Sequence, residues 1–205
     1  MPADWFAGAL SSAAMDELGR CWWGGGERPD PRMQAYHDTE WGVEVRDDVE
    51  LFERLALESF QAGLSWQTIL NKREAFRTAF HGFDPAVVGA FGDADRERLM
   101  ADAGIVRNRA KIDATIANAL AFQATVREFG AFDAYLGGIV ARPPARLPAT
   151  ATMADIPATT TDSDALSRDL RRRGFRFVGS TIVYAFMQSV GLVDDHLPGC
   201  FRYRG

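Results

Sequence analysis

The chain has little cysteine, few histidines and no excess of positive charge. Two cysteines, Cys21 and Cys200, stand at opposite ends of 205 residues, which argues against a structural disulfide and leaves metal binding or free thiols. The formal net charge is −5, so the protein as a whole does not advertise nucleic-acid binding, although local charge still can. No apolar run reaches the length of a membrane span, because Gly or charge interrupts each within about a dozen residues. The first twenty residues place Asp4 early and have no basic segment before their short apolar patch, which argues against a secretory signal and for the cytoplasm. Strand-like alternation is missing too. With 47% hydrophobic and 25% charged residues, the expectation is an all-α soluble protein.

Helix punctuation is what the chain has instead. Asp47-Asp48, Ser65, Asp84-Pro85, Asp93, Asn108 and Asp162-Ser163 each read as a helix start, and Gly63, Gly104, Gly130, Gly174 and Gly191 as stops. Residues 1–20, rich in Ala and Ser, read as an appended, mobile extension. Residues 21–205 read as a single domain of helical lobes, with a hairpin near 163–191 and one linker, Arg142 to Pro157. The segment from Cys21 to Gly42, broken by Gly and Pro, reads as irregular chain dense in aromatic residues.

The run Glu58 to Trp66 organises the rest. Glu58 follows Leu55 by three residues and Leu51 by seven, so a helical reading puts this carboxylate in the apolar stripe. A charge there is either satisfied by neighbouring backbone N–H groups or held for chemistry. Gln61 lies one turn on, near the same face, and Trp66 offers a flat aromatic surface just past the Gly63 turn. Carboxylate, amide and indole together suit a pocket for a flat heterocycle.

Two more constellations follow. Between Asp162 and Val190, two helices meet through the short segment Gly174 to Gly179, and Arg168, Arg171, Arg172, Arg173 and Arg176 fall within nine positions. An Arg run alone is usually a solvated face. Joined to a Gly-bounded hairpin in an acidic protein, it reads as a phosphate-binding footprint, with Arg107, Arg109 and Lys111 as a possible extension. At the ends of the chain, Cys21 and His37 with His196 and Cys200 supply two thiolates and two imidazoles, a complete tetrahedral zinc set. His81 reads as a helix C-terminal cap rather than a ligand.

Taken together, Cys21, Ala35-Tyr36-His37-Asp38-Thr39-Glu40-Trp41-Gly42-Val43, Gln61 to Trp66, Gly104 to Lys111, Gly174 to Gly179 and His196 to Cys200 carry a resemblance. The chain resembles the 3-methyladenine DNA glycosylase I family, bacterial base-excision repair enzymes of the helix-hairpin-helix glycosylase superfamily, from Cys21 to about Cys200. The resemblance implies an all-α helix-hairpin-helix glycosylase fold whose N- and C-terminal segments are tied by one structural zinc on Cys21, His37, His196 and Cys200. It implies that Glu58, as the acidic group of the pocket, and Tyr36 hydrogen-bond the excised base, that Trp66 stacks on it, and that Trp23 and Trp41 wall the pocket. The implied partner is double-stranded DNA containing alkylated bases, bound by a monomer through Arg173, Arg176 and the backbone at Gly174 and Gly179, with no membrane involved. Met33, Ser59-Phe60 and Asp194 depart from the family's usual residues, and the first two sites are expected to border the pocket.

Rival classes make different demands on the sequence. A non-catalytic binder of damaged DNA needs the arginines and the metal but no carboxylate in an apolar stripe. A hydrolase of free nucleosides needs the pocket but no hairpin. Both features are present, which favours a glycosylase that flips out a damaged base and cleaves its N-glycosidic bond.

Overall fold

Why the chain folds as it does is clearest at α2 (Asp48–Gln61), whose ten residues from Leu51 to Phe60 are all buried. Asp47 caps it by accepting from the Glu50 N–H. A helix enclosed on all sides lies inside a bundle rather than on its surface. Accordingly α2 packs on α3 (Trp66–Ala79), α6 (Arg109–Phe129), α7 (Phe132–Gly137) and α9 (Ser180–Ser189). This computed structural model describes residues 18–25 and 30–205. Residues 1–17, the bulk of the expected N-terminal extension, lie outside the described residues.

Most of the expected starts hold. Ser65 accepts from Thr68 N–H, Asp84 from Ala86 N–H ahead of α4 (Pro85–Gly89), and Asn108 from Lys111 N–H. Helix α5 (Asp93–Ala101) ends before Gly104, where Asp102 turns the chain by accepting the Gly104 N–H. Helix α8 (Thr161–Arg172) begins earlier than Asp162-Ser163, because Thr160 and Ser163 form a reciprocal capping box. The segment expected to be irregular contains a helix, α1 (Pro31–Thr39). Asp30 caps it and Pro31 takes the first position, where a missing N–H costs nothing.

The structure also holds one feature that no alternation could reveal. Within the expected linker, β1 (Ala145–Arg146) pairs in parallel with β2 (Val193–Asp194). Two residues are too few to show a period. Among the described residues no helix is long and apolar enough to cross a membrane.

The hairpin between α8 and α9 is fixed from several sides. Gly174 adopts φ +96°, open to glycine at little cost, and the Phe175 N–H returns to the Leu170 carbonyl. Asn118 on α6 accepts from the Arg176 N–H and donates to the Arg176 carbonyl, at 2.7 and 3.0 Å. Ser167 donates to the Val178 carbonyl and Ser59 to that of Phe177. The hairpin is thereby a rigid extension of the core. Asn118→Ala would leave two backbone groups without these bonds, so unfolding free energy should fall by about 1–3 kcal/mol in urea denaturation, with faster hydrogen exchange at the Arg176 amide.

Candidate active site

Tyr36 projects from α1 into a small aromatic cluster beside the main core. Its ring centroid lies 5.0 Å from that of Trp66, the first residue of α3. Trp23 stands 6.1 Å from Tyr36 and meets Trp41 edge-on at 5.0 Å. Four of the rings named from sequence therefore form one contiguous wall, and Met33 packs on it. Ser59 and Phe60 do not join them. The Ser59 hydroxyl is spent on the Leu55 and Phe177 carbonyls, and Phe60 stacks into the core against Phe76 at 4.7 Å. Of the two departures expected to border the pocket, only Met33 borders the aromatic wall.

Glu58 is 4% exposed, as its place in the apolar stripe demands. The reading in which neighbouring backbone N–H groups satisfy it does not hold for Oε2, which is buried without a hydrogen-bond partner, as is the Trp66 indole Nε1. Burial pushes the Glu58 carboxyl up to about 8, against the opposing pull of Arg54 one turn earlier. Burial, and after it the charge of Glu58, pushes the Tyr36 hydroxyl well above the ordinary phenol range. A buried acceptor and a buried indole donor left open beside a wall of tilted aromatic rings ask for a flat ligand with polar edges. Gln61, half-buried, closes α2 one turn beyond Glu58. Lys111 anchors this helix end by donating to the Phe60 and Ala62 carbonyls. It is therefore buried and committed, and does not extend the basic surface as the sequence suggested.

Two cavities lie outside this cluster. One, of about 290 Å³, is lined by Ala145, Leu147, Tyr184, Met187 and Asp195. The other, of about 340 Å³, is lined by Glu40, Glu50, Arg54, Arg73 and Arg77 and backs onto the cluster through Arg54.

Three of the four expected metal ligands form a cluster, and His196 lies beside it. The ligand atoms of Cys21, His37 and Cys200 lie within 4.8 Å of one another and all three residues are buried. The His196 ring centroid is 5.0 Å from that of His37, and its buried Nε2 has no hydrogen-bond partner. Carboxylates hold the opposite nitrogen of each ring, Asp38 at 2.8 Å from His37 Nδ1 and Asp194 at 2.9 Å from His196 Nδ1. This is the outer-shell pattern that orients imidazoles toward a metal. The hydrogen bond from the Cys21 thiol holds Cys200 well below the ordinary thiol range despite its burial. Small residues permit the approach. A Cβ on Gly24 would meet the His37 ring at 2.8 Å, and one on Gly42 the His196 ring at 3.0 Å. The two ends also have ties of their own, since the Phe201 N–H donates to the Gly19 carbonyl and Arg202 to that of Asp38.

The arginines of the hairpin divide into two groups. The Arg173 guanidinium pairs with Glu128 and Asp169 and lies over the Phe129 and Tyr135 rings at 4.8 and 4.9 Å. Arg172 pairs with Asp169. Arg168, Arg171 and Arg176 are exposed. Gly179 caps α9 without a side-chain hydrogen bond, so no cap side chain claims the first amides of that helix. Sequence reasoning passed over Leu64, 38% exposed in the turn before Trp66; a large apolar side chain next to Gly63 was the available signal.

A helical scaffold that walls a buried, uncompensated carboxyl with aromatic rings, beside a basic hairpin, defines a class of protein built to capture a flat heterocycle. The sequence model of the methyladenine glycosylase family matches residues 24–203, and the chain belongs to that family. It is 49% identical over 186 residues to DNA-3-methyladenine glycosylase 1 of Escherichia coli, covering 91% of this chain and 97% of the relative. DNA-3-methyladenine glycosylase of Haemophilus influenzae is 44% identical over 80% of this chain and 89% of its own length. The structure superposes on 3-methyladenine DNA glycosylase I from Staphylococcus aureus, solved for the basis of its 3-methyladenine recognition, with a TM-score of 0.84 at 35% identity, covering 94% and 98% of the two chains.

The raised Glu58 carboxyl has a consequence for stability. Below its unfolded value, about 4.5, the group is protonated in both states; as pH rises toward about 8 only the unfolded chain gives up its proton, so stability falls, and above that it levels. Glu58→Gln should remove this falling limb. Thermal melts are expected to show the variant gaining on the parent by on the order of a few kcal/mol between pH 5 and pH 9.

Proposed function

We propose that the protein is a DNA repair glycosylase that flips an N3-alkylated adenine out of double-stranded DNA and hydrolyses its N-glycosidic bond. The observation that carries this reading is Glu58 Oε2, a buried oxygen without a hydrogen-bond partner, on the helix that packs against α3 and its Trp66, whose ring lies 5.0 Å from that of Tyr36. Adenine presents complementary donors and acceptors on its edge and a flat face to the aromatic wall. The names of the relatives, DNA-3-methyladenine glycosylases, support the same reading.

The chemistry asks little of the protein at the reacting bond. N3-alkylation makes the base cationic, so the C1′–N9 electron pair leaves with it to give neutral 3-methyladenine, and water adds to the sugar carbon with loss of a proton. What the pocket supplies is capture and discrimination. Stacked electron-rich rings favour an electron-poor base. Burial keeps the proton on Glu58 near neutrality. A cationic base brings the missing counter-charge, the proton leaves, and the carboxylate then favours the alkylated ring over an unmodified one. Gln61, Trp23 and Trp41 complete the walls. Leu64, exposed at the turn before Trp66, would be the apolar side chain to fill the gap that a flipped base leaves in the stack.

DNA is held at a distance from the chemistry, through phosphates. The open amides at Gly179 and the start of α9, the turn at Gly174 and the exposed Arg168, Arg171 and Arg176 suit a backbone contact. Arg173, committed to Glu128, Asp169 and two rings, braces the hairpin and would reach phosphate only by leaving them. One zinc on Cys21, His37, His196 and Cys200 fits the softness of the donors, the open His196 Nε2 and the carboxylate-oriented rings. Because His37 adjoins Tyr36, that site would steady one wall of the base pocket. The protein would act as a monomer.

Purified protein incubated with methylated DNA is expected to release free 3-methyladenine. Protein that binds such DNA and liberates no base would instead be a damage-recognition module. Glu58→Gln should slow excision at least about tenfold at saturating enzyme while DNA binding is largely kept; full activity would make the carboxylate structural. The logarithm of affinity should fall linearly with that of salt, and Arg176→Glu should reduce the slope by about one or more, whereas Arg173→Ala should show mainly in the melting temperature. Elemental analysis should return one zinc per chain, with Cys200→Ser lowering both zinc content and thermal stability.

A further inference from the structure

We propose that Arg54 is a positioning residue of the base pocket, a buried cation one helical turn before Glu58 that sets the ionisation of that carboxyl and holds the plane of Tyr36. This rests on the pocket reading above and adds a residue to it.

Position 54 lies inside the buried run of α2, where a helix enclosed on all sides calls for an apolar side chain. A guanidinium there, with its side chain 4% exposed, carries a desolvation cost that only good partners offset. Its Nη2 has them, 2.7 Å from Glu40 and 2.9 Å from Glu50. Its Nη1 is buried with no hydrogen-bond partner. The guanidinium carbon lies 5.7 Å from the centre of the Tyr36 ring. Glu58 follows four residues later on the same helix, the spacing that brings side chains together, and its own Oε2 is open. The cation is thus satisfied at its rear and uncompensated on the side chain's other terminal nitrogen.

The charges around it are few enough to name. Glu40, at the end of α1, is shared with Arg73 of α3, which reaches it with two nitrogens at 2.6 and 2.8 Å. Glu40 is therefore not Arg54's alone, and the guanidinium keeps part of its field. Arg77 of α3 is occupied by Glu53 and Glu74. From α6 comes Lys111, committed to the Phe60 and Ala62 carbonyls, and from α7 Asp133, which pairs with Arg142 and Arg46. Helix α9 brings no charged side chain. The fixed charge opposing the burial of Glu58 is Arg54, and burial with Arg54 acting against it is what places that carboxyl where it lies. The polar cavity of about 340 Å³ is lined by Arg54 together with Glu40, Glu50 and Arg73 and not by Glu58, so changes among those residues reach the pocket through one guanidinium.

A purely structural Arg54, tying α1, α2 and α3 through Glu40, would leave the titration of Glu58 alone. The decisive measurement is a carbon-13 NMR titration of the Glu58 carboxyl in the base-free protein, assigned by its loss in Glu58→Gln. Arg54→Met should raise the midpoint by about one pH unit or more, and Arg54→Lys should hold it near the parent value. Glu50→Gln, a change at a partly exposed residue that the fold tolerates, should move it the opposite way by stripping a counter-charge from Arg54. The acid limb of kcat/KM for base release should shift in the same directions. Unchanged midpoints in Arg54→Met and Glu50→Gln, or a kcat/KM lowered evenly across pH, would overturn the proposal. Absence of base release by the parent protein would refute the pocket reading, while the titration would still decide whether Arg54 governs Glu58.

Discussion

The structure depends on a helix buried on all sides that nevertheless carries charge. Helix α2 presents Leu51, Phe52, Leu55, Leu57 and Phe60 to its neighbours, and between them places Glu53, Arg54 and Glu58. Each of those charges dictates something nearby. Glu53 is met by Arg77 of α3, and Arg54 by Glu40 at the end of α1. Those ion pairs fix how α1 and α3 dock, and with them Tyr36 and Trp66, whose rings lie 5.0 Å apart. Of the three, Glu53 is satisfied, whereas Arg54 Nη1 and Glu58 Oε2 are each buried without a hydrogen-bond partner.

The same economy of charge governs the acidic chain's basic hairpin. Five arginines in nine positions look interchangeable in sequence, yet Asp169 and Glu128 draw Arg173 in from solvent, while Arg168, Arg171, Arg176 and the Asp169-paired Arg172 stay on the surface. Cation–aromatic contacts with Phe129 and Tyr135 hold Arg173 further in. The hairpin is rigid because side chains from α2, α6 and α8 satisfy its backbone, through Ser59, Asn118 and Ser167. A hairpin so braced would lose little conformational freedom on binding a partner.

The two ends of the chain converge through several independent contacts. A backbone bond from the Phe201 N–H to the Gly19 carbonyl and a hydrogen bond from the Arg202 guanidinium to the Asp38 carbonyl bring Cys200 to Cys21, and the Arg20–Asp38 pair tightens the same corner. Glycines at 24 and 42 leave room for the two imidazole rings. The donor set is therefore assembled by the protein's own packing, and a metal there would reinforce an arrangement the chain already makes.

What the sequence by itself determined is whatever rests on local spacing. The three-and-seven spacing of Glu58 from Leu55 and Leu51 placed it in the apolar stripe, capping residues marked most helix starts, and donor chemistry at the chain ends picked out Cys21, His37, His196 and Cys200. Helix α1 was legible too, in Asp30 followed by Pro31, but its polar composition gave no apolar period to draw attention to it. Only the tertiary structure decided how each polar side chain is satisfied. It turned Lys111 inward to the carbonyls closing α2, turned Ser59 and Phe60 away from the aromatic wall, drew Arg173 in from the other hairpin arginines and set Arg54 beside the Tyr36 ring. The reason is physical: periodicity records which face of an element is buried, whereas the partner of a buried charge comes from another element whose distance along the chain carries no signal.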